Sequence, residues 1–168
     1  MKKITIPTTK EEIRKLRAGD MILISGTILT GRDAVLPKVV KAIEDGKLAD
    51  IGVDLEGQLM FHTAVSPAGV GPTSSNKLEI EGTMKALSQS GIRVHLGKGQ
   101  LKPETIRMLA EEDSIYAVIP PVTALLESKT ISRKVIAFEE LGMEALHLLE
   151  IEDYPAIVAA AGGKSIYE

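Results

Sequence analysis

Residues 71–77 read Gly-Pro-Thr-Ser-Ser-Asn-Lys, three hydroxyl side chains in a row between a glycine and a lysine. Hydroxyls and free amide groups at a helix start bind anions through hydrogen bonds and the helix dipole. The same stretch also reads as an ordinary cap, with Ser74 or Ser75 closing the helix. Two other segments carry a cation beside glycine. Thr30-Gly31-Arg32-Asp33 offers a guanidinium that can meet a carboxylate with two parallel hydrogen bonds, or pair with a neighbouring acid while Asp33 caps a helix. Gly97-Lys98-Gly99 lets the backbone approach a ligand closely under an ammonium, or forms a flexible turn with a solvated lysine. It is not a nucleotide P-loop: Gly91 lies one residue too far back, and Lys98 is followed by glycine rather than serine or threonine.

Taken together these segments say more than each does singly. Arg32, Lys77 and Lys98 place three cations on three loops of a chain whose net charge is -3. If the loops converge, they form a small basic pocket lined by Thr73 and Ser74, suited to a small dicarboxylate. The three histidines, His62, His95 and His147, fall inside apparent strands. They read as satisfied or partly exposed strand residues rather than catalysts, and Pro120-Pro121 reads as a structural bend.

The elements that must position these residues follow from local pattern. Lys-Lys-Ile-Thr-Ile alternates polar and apolar residues as a strand does. Residues 8–16 predict a short helix, with Thr8 or Thr9 as cap and acidic residues in the first turn. Residues 21–31 are β-rich and interrupted by Gly26, which predicts a bent strand or two short ones. Residues 32–47 predict a helix, its regular part starting near Pro37. Residues 57–65 predict one strand. A helix over 78–91 closes at Gly91. A strand over 92–96, a helix starting at Pro103, a strand over 114–121 and a short helix over 122–128 follow. Residues 134–141, 145–153 and 155–161 predict three strands, and 162–165 a terminal turn. The middle alternates strand and helix while both ends are richer in strands. This predicts one layered α/β domain over residues 1–168 with a mixed, partly parallel sheet. In such sheets ligands collect at loops beyond the carboxyl ends of strands, where the three candidate loops fall.

Composition narrows the function classes. At 168 residues the chain suits a single domain. Aromatic residues make up only 3%, so the core must be aliphatic, and a base-stacking surface for nucleic acid is not expected. The cysteine count of 0 means this chain offers no thiol nucleophile, disulfide or iron–sulfur ligation of its own, and scattered histidines make no zinc site. No apolar run approaches the ~20 residues of a membrane span, and residues 1–12 lack the apolar segment of a signal peptide, so a cytoplasmic protein is expected.

Four segments in fixed order carry a resemblance: AGDMILISGTILTGRDA, VGPTSSNKLE, LGKGQLKPE and ELGMEALHLLEIEDYPAIVA. From Glu12 onward the chain resembles the C-terminal domain, or β subunit, of class I fumarases and L-tartrate dehydratases. The resemblance implies a swivelling β/β/α domain and half of an iron–sulfur hydro-lyase, which adds or removes water across a hydroxy dicarboxylic acid. It implies a 4Fe–4S cluster held by a cysteine-bearing α subunit, whose open iron would act as a Lewis acid. By the same resemblance Arg32 and Lys98 would hold substrate carboxylates, Ser74 would donate a hydrogen bond to substrate, and Thr73 would take the proton-abstracting position. A free threonine hydroxyl is too weak a base near neutral pH, so that role requires activation by nearby cations or the cluster. Two positions depart from the family pattern. Lys77 stands where an arginine is usual, keeping the charge but losing the bidentate fork, and Leu36 stands where histidine is usual. These departures motivate two further expectations: a non-catalytic dicarboxylate-binding or regulatory domain of the same fold, and a dehydratase subunit for another hydroxy acid. A homodimer is also compatible with this reading.

Overall fold

The computed structural model describes residues 1–66, 69–73, 77–119 and 123–167, with backbone only for Ser66, 69–73, 77–80 and 123–124. Strand β1 (Lys2–Ile6) buries Ile4 and Ile6 and exposes Lys3 and Thr5, as its alternation predicts. Helix α1 (Lys10–Arg14) starts at Thr9, whose hydroxyl accepts from the Glu12 amide at 3.2 Å. Strand β2 (Met21–Thr30) is continuous through Gly26. Helix α2 (Leu36–Glu44) has Pro37 in its first turn; Val35, not Asp33, is its N-cap, without a side-chain cap bond. Leu48–Ile51 forms a 3-10 turn.

The segment expected as one strand over 57–65 is two: β3 (Leu59–Phe61) and β4 (Thr63–Ser66), which belong to different sheets. Gly71, Pro72 and Thr73, expected in a loop, belong to β5 (Gly69–Thr73), the antiparallel partner of β4. Helix α3 (Lys77–Gln89), strand β6 (Val94–Gly97), helix α4 (Pro103–Glu111), strand β7 (Ile115–Val118) and helix α5 (Thr123–Ser128) follow the predicted order. The expected strand over 134–141 begins earlier and stops sooner, as β8 (Thr130–Ala137), and Glu139–Glu144 is a 3-10 segment. The two expected strands over 145–153 and 155–161 are one, β9 (Leu146–Ala161), followed after Gly162-Gly163 by the short β10 (Lys164–Ser165).

The sheet is mixed: β1–β2, β2–β3, β3–β6 and β6–β7 pair in parallel, and β9 pairs antiparallel with β2, β7, β8 and β10. Because β9 meets both β7 and β2, the circuit β2–β3–β6–β7–β9 closes on itself. Alternation then separates two environments. Ile22, Ile24, Ile28, Phe61, Val94, Leu96, Ile115, Ala117, Leu149 and Val158 form one cluster on the inner face. The intervening Leu29 and Met60 point outward, packing with α2 residues and Leu87 of α3. Tyr116 and Ala159 point outward with Met84 and the α4 residues Ile106 and Leu109.

β9 stays continuous past Pro155 through a bulge. Ile24 pairs Tyr154 and Gly26 pairs Ile151, so Ser25 faces both Glu152 and Asp153. Asp153 takes φ 53, and its amide donates to Ser25 Oγ at 2.9 Å. The Val158 amide donates to Asp20 on the β2 side, so by alternation the missing N–H of Pro155 faces away from β2, between the stretches paired to β8 and β7.

Gly26 lies against the end of β1. Its φ is +111, and a Cβ there would stand 2.1 Å from the Ile6 carbonyl oxygen, a backbone atom. Gly26→Ala is therefore expected to cost about 2–4 kcal/mol from strain and displaced backbone. Chemical denaturation checks this: a midpoint unchanged from the parent chain contradicts it.

Candidate functional site

Three parallel strands that are neighbours in the sheet, β2, β3 and β6, deliver the candidate residues at their carboxyl ends. The ladder extends one step beyond the regular strands: the Gly31 amide donates to Phe61 O at 3.0 Å, and the His62 amide to Leu96 O at 3.0 Å. Arg32 therefore leaves β2 at the level where β3 gives way to His62 and Thr63. Thr63 is the Cα partner of Thr73, so the β4–β5 hairpin returns Thr73 to the end of β3, and α3 begins at Lys77. Lys98 follows the last residue of β6. With strands about 4.8 Å apart, the chain positions at Arg32 and Lys98 are separated laterally by about 10 Å, with the Thr73 segment between them. The side chains of Thr73 and Lys77, and Ser74 as a whole, lie outside the described residues, as do Ser75 and Pro120-Pro121.

Close packing holds the two cation-bearing turns. A Cβ on Gly31 would meet Val35 Cγ1 and Leu36 Cδ2 at 2.9 Å each, so the absent side chain lets α2 begin directly against the strand end. A Cβ on Gly97 would lie 3.2 Å from the Tyr116 hydroxyl. The start of α2 takes its first bonds from the loop: Arg32 O accepts from the Val35 and Leu36 amides at 3.3 and 3.1 Å.

Arg32 meets an acid, though not a neighbouring one. Its Nη2 lies 2.8 Å from Oε2 of Glu144, at the end of the 3-10 segment before β9, and its Nε donates to Oε1 at 3.3 Å. The shorter contact is not aligned as a hydrogen bond, so charge attraction rather than a two-bond fork dominates the pair. The Arg32 side chain remains 27% exposed, enough for a second carboxylate to reach it. Lys98 is partly exposed. Leu36, where the family pattern has histidine, is 2% exposed in the apolar cluster beneath α2.

Two features at this edge were not foreseen. His62 and His95 are both fully buried, and their rings meet: His62 Nε2 lies 3.2 Å from His95 Nδ1, and His95 Nε2 lies 2.9 Å from Ser88 Oγ on α3. The signal was present, because alternation places His95 on the face opposite Val94 and Leu96. The second feature is a cavity of about 540 Å³ between Val65 of β4, β8 and the 3-10 segment, lined also by Arg133, Met143 and His147. His147 sits opposite Thr30 in the ladder and bonds through Nδ1 to Ala145 O at 3.0 Å. Neither Arg32 nor Lys98 lines this cavity.

The chain matches the family described as Fumarase C-terminus over residues 1–168. It belongs to the fumarase C-terminus family. Among its relatives is the L(+)-tartrate dehydratase subunit beta of Escherichia coli K12, 26% identical, with 95% of this chain and 83% of the relative covered. A Methanocaldococcus jannaschii protein provisionally named as the same subunit is 29% identical, with 95% of this chain and 88% of that protein covered. A Geobacillus stearothermophilus protein provisionally named class I fumarate hydratase is 31% identical over 96% of this chain, which spans 32% of its length. Fumarase C-terminus relatives thus occur both as separate β subunits and within a longer chain.

Burial holds the His95 imidazole well below its usual range, reinforced by His62 and Arg93, and burial also lowers His147. Both rings are ordinarily half-protonated near pH 6.5 once unfolded. A depressed folded-state value means their stabilising contribution is complete above that pH and is lost as pH falls through it toward the folded values. The unfolding free energy is therefore expected to decline between about pH 7 and pH 5. His95→Gln should flatten the decline in denaturation series run across that range; an identical pH slope in parent and variant contradicts the assignment.

Proposed function

We propose that this chain is the β subunit of an iron–sulfur hydro-lyase that reversibly hydrates a small unsaturated dicarboxylate, fumarate to malate foremost and the tartrate dehydration next. The observation that carries it is the arrangement of Arg32, Thr73 and Lys98 beyond the carboxyl ends of three adjacent parallel strands, in a chain whose relatives are named for these two reactions. In the dehydration direction a base takes the proton from the carbon next to one carboxylate. The electron pair forms the double bond as the C–O bond to the neighbouring hydroxyl breaks, and the departing hydroxide takes up one proton to leave as water. Negative charge spreads onto the carboxylate as the proton leaves, so cations held there lower the barrier. Arg32 and Lys98 take that role, Ser74 and Lys77 add substrate contacts, and we assign to Thr73 the acceptance of the proton when its hydroxyl is activated.

The 4Fe–4S cluster expected of such enzymes does not fit this chain's own residues. There are 0 cysteines, and among the described residues no group of three histidine, cysteine or acidic side chains is arranged to hold a metal. Its ligands belong to the α subunit, the partner that the β-subunit relatives' names imply, and the chain supplies the carboxylate-binding half of the site. Among the described residues no helix is long and apolar enough to cross a membrane, and we place the complex in the cytoplasm.

Arg32→Ala and Lys98→Ala in the complex with a cluster-loaded α subunit are expected to raise KM for the dicarboxylate roughly 10- to 100-fold with a smaller effect on kcat. Arg32→Lys should recover only part of the loss, because the planar fork is gone. Steady-state kinetics with fumarate, malate and tartrate measure this, and normal kinetics in both alanine variants remove the two cations from the site. The buried Leu36 favours one second reading, a non-catalytic dicarboxylate-binding domain. Calorimetry separates the two: tight dicarboxylate binding by the chain without an α subunit, together with no turnover in the complex, selects the binding domain.

A further inference from the structure

Along one edge of β9 the neighbouring strand changes. β9 pairs with β8 up to Ile151 and with β7 from Ile157 onward. Beside that gap lies a cavity of about 340 Å³, lined by Met1, Met21, Ile22, Ile119, Pro155 and Ile157 among others. Every lining residue among the described ones is apolar. Met21 and Ile157 are ladder partners on adjacent strands, and they are 54% and 39% exposed. Neither belongs to a core cluster, whereas Ile22, Ile119 and Ala156 beneath them do. A paired, solvent-facing aliphatic surface of this kind costs free energy in water until something covers it.

Position selects the occupant. Val118, which also lines the cavity, is the ladder partner of Gly97, and the Ile119 amide donates to Gly97 O at 3.4 Å. Lys98 is the next residue, so the apolar wall begins one rung from a cation assigned above to substrate. A subunit that closes the site over Lys98 comes against this wall. A second copy of this chain would cover the same area but bring 0 cysteines to that edge. The start of β1 points the same way. The family is described as Fumarase C-terminus, and the chain spans 32% of the Geobacillus relative. In such a longer chain the preceding part joins at the start of β1, and Met1 lines this cavity.

The β9 edge also limits the mode of contact. Pro155 faces the gap and has no amide hydrogen, so a strand laid along β9 there would lack a donor. Contact therefore runs through side chains, for which a flexible thioether beside a branched aliphatic group is well suited.

We propose that this cavity is a docking surface for the α subunit, which seats apolar side chains on Met21 and Ile157 beside Lys98. The choice of partner rests on the β-subunit reading above.

Titration of the full chain with a cluster-loaded α subunit, followed by sedimentation velocity, tests it. Met21→Gln and Ile157→Thr are each expected to weaken the association about tenfold, and the double variant further. Ile157→Leu, which keeps the apolar contact, should retain the parent affinity. So should Ile131→Thr, an exposed position on β8 outside the cavity. At saturating α subunit the double variant should reach the parent kcat, because the surface binds the partner and not the substrate. Parent affinity in the double variant overturns the proposal, as does an equal loss in Ile131→Thr. A homodimer of the parent chain that the double variant abolishes, with α-subunit affinity unmoved, also overturns it and gives the face to a second copy. A parent chain that binds no α subunit defeats the β-subunit reading and this proposal together. An assembled complex that turns over none of fumarate, malate and tartrate defeats the substrate assignment alone, and the affinities still decide the surface.

Discussion

Strand β9 pairs with β2 along nearly the whole of β2 and holds β8 and then β7 on its other edge. That double engagement closes the strand circuit, and the remaining architecture depends on it. Without the β2–β9 ladder, the inner faces of β3, β6 and β7 would form an open sheet needing a second cover. With it, their isoleucines, valines and leucines bury against one another, and the helices are left to cover the outer face alone. Aliphatic residues suffice for an interior of this size, which is how the chain manages with so few aromatic residues.

Closure also sets the geometry of the edge that carries the candidate site. The parallel strands β2, β3 and β6 are fed by connections that return the chain to the same end, so Arg32, the Thr73 hairpin and Lys98 emerge side by side. Two glycines, Gly31 and Gly97, remove the side chains that would push these turns outward. The site is thus a property of strand order, with the loops themselves only a few residues long.

Much of the local structure was legible because its signals are local. Thr9 caps α1, Pro37 lies in the first turn of α2, Pro103 opens α4 and Gly91 follows α3, each for a reason confined to a few residues. What was not legible depends on distant partners. β9 reads as two strands because Asp153 and Pro155 look like breakers; only its register against Ser25 shows that they form a bulge inside one strand. Gly71-Pro72-Thr73 reads as a turn because its strand partner, the short β4, is hidden within an apolar run. Arg32 and Lys98 could be singled out from residue type as cations beside glycine. The acid that meets Arg32 could not, because Glu144 lies 112 positions away and joins the site only through the turn before β9.

That Arg32–Glu144 contact changes what binding means at this edge. Under the proposed reading, a substrate carboxylate reaching Arg32 would meet a guanidinium already paired with Glu144 rather than a bare cation, so the electrostatic gain would be reduced by that pairing. Discrimination then rests on which carboxylate fits the guanidinium plane better, and the resident one is poorly aligned. Under the proposed reading Glu144 would serve as an internal reference for the guanidinium, and a carboxylate that engages the fork squarely would be favoured by geometry over one that is merely negative.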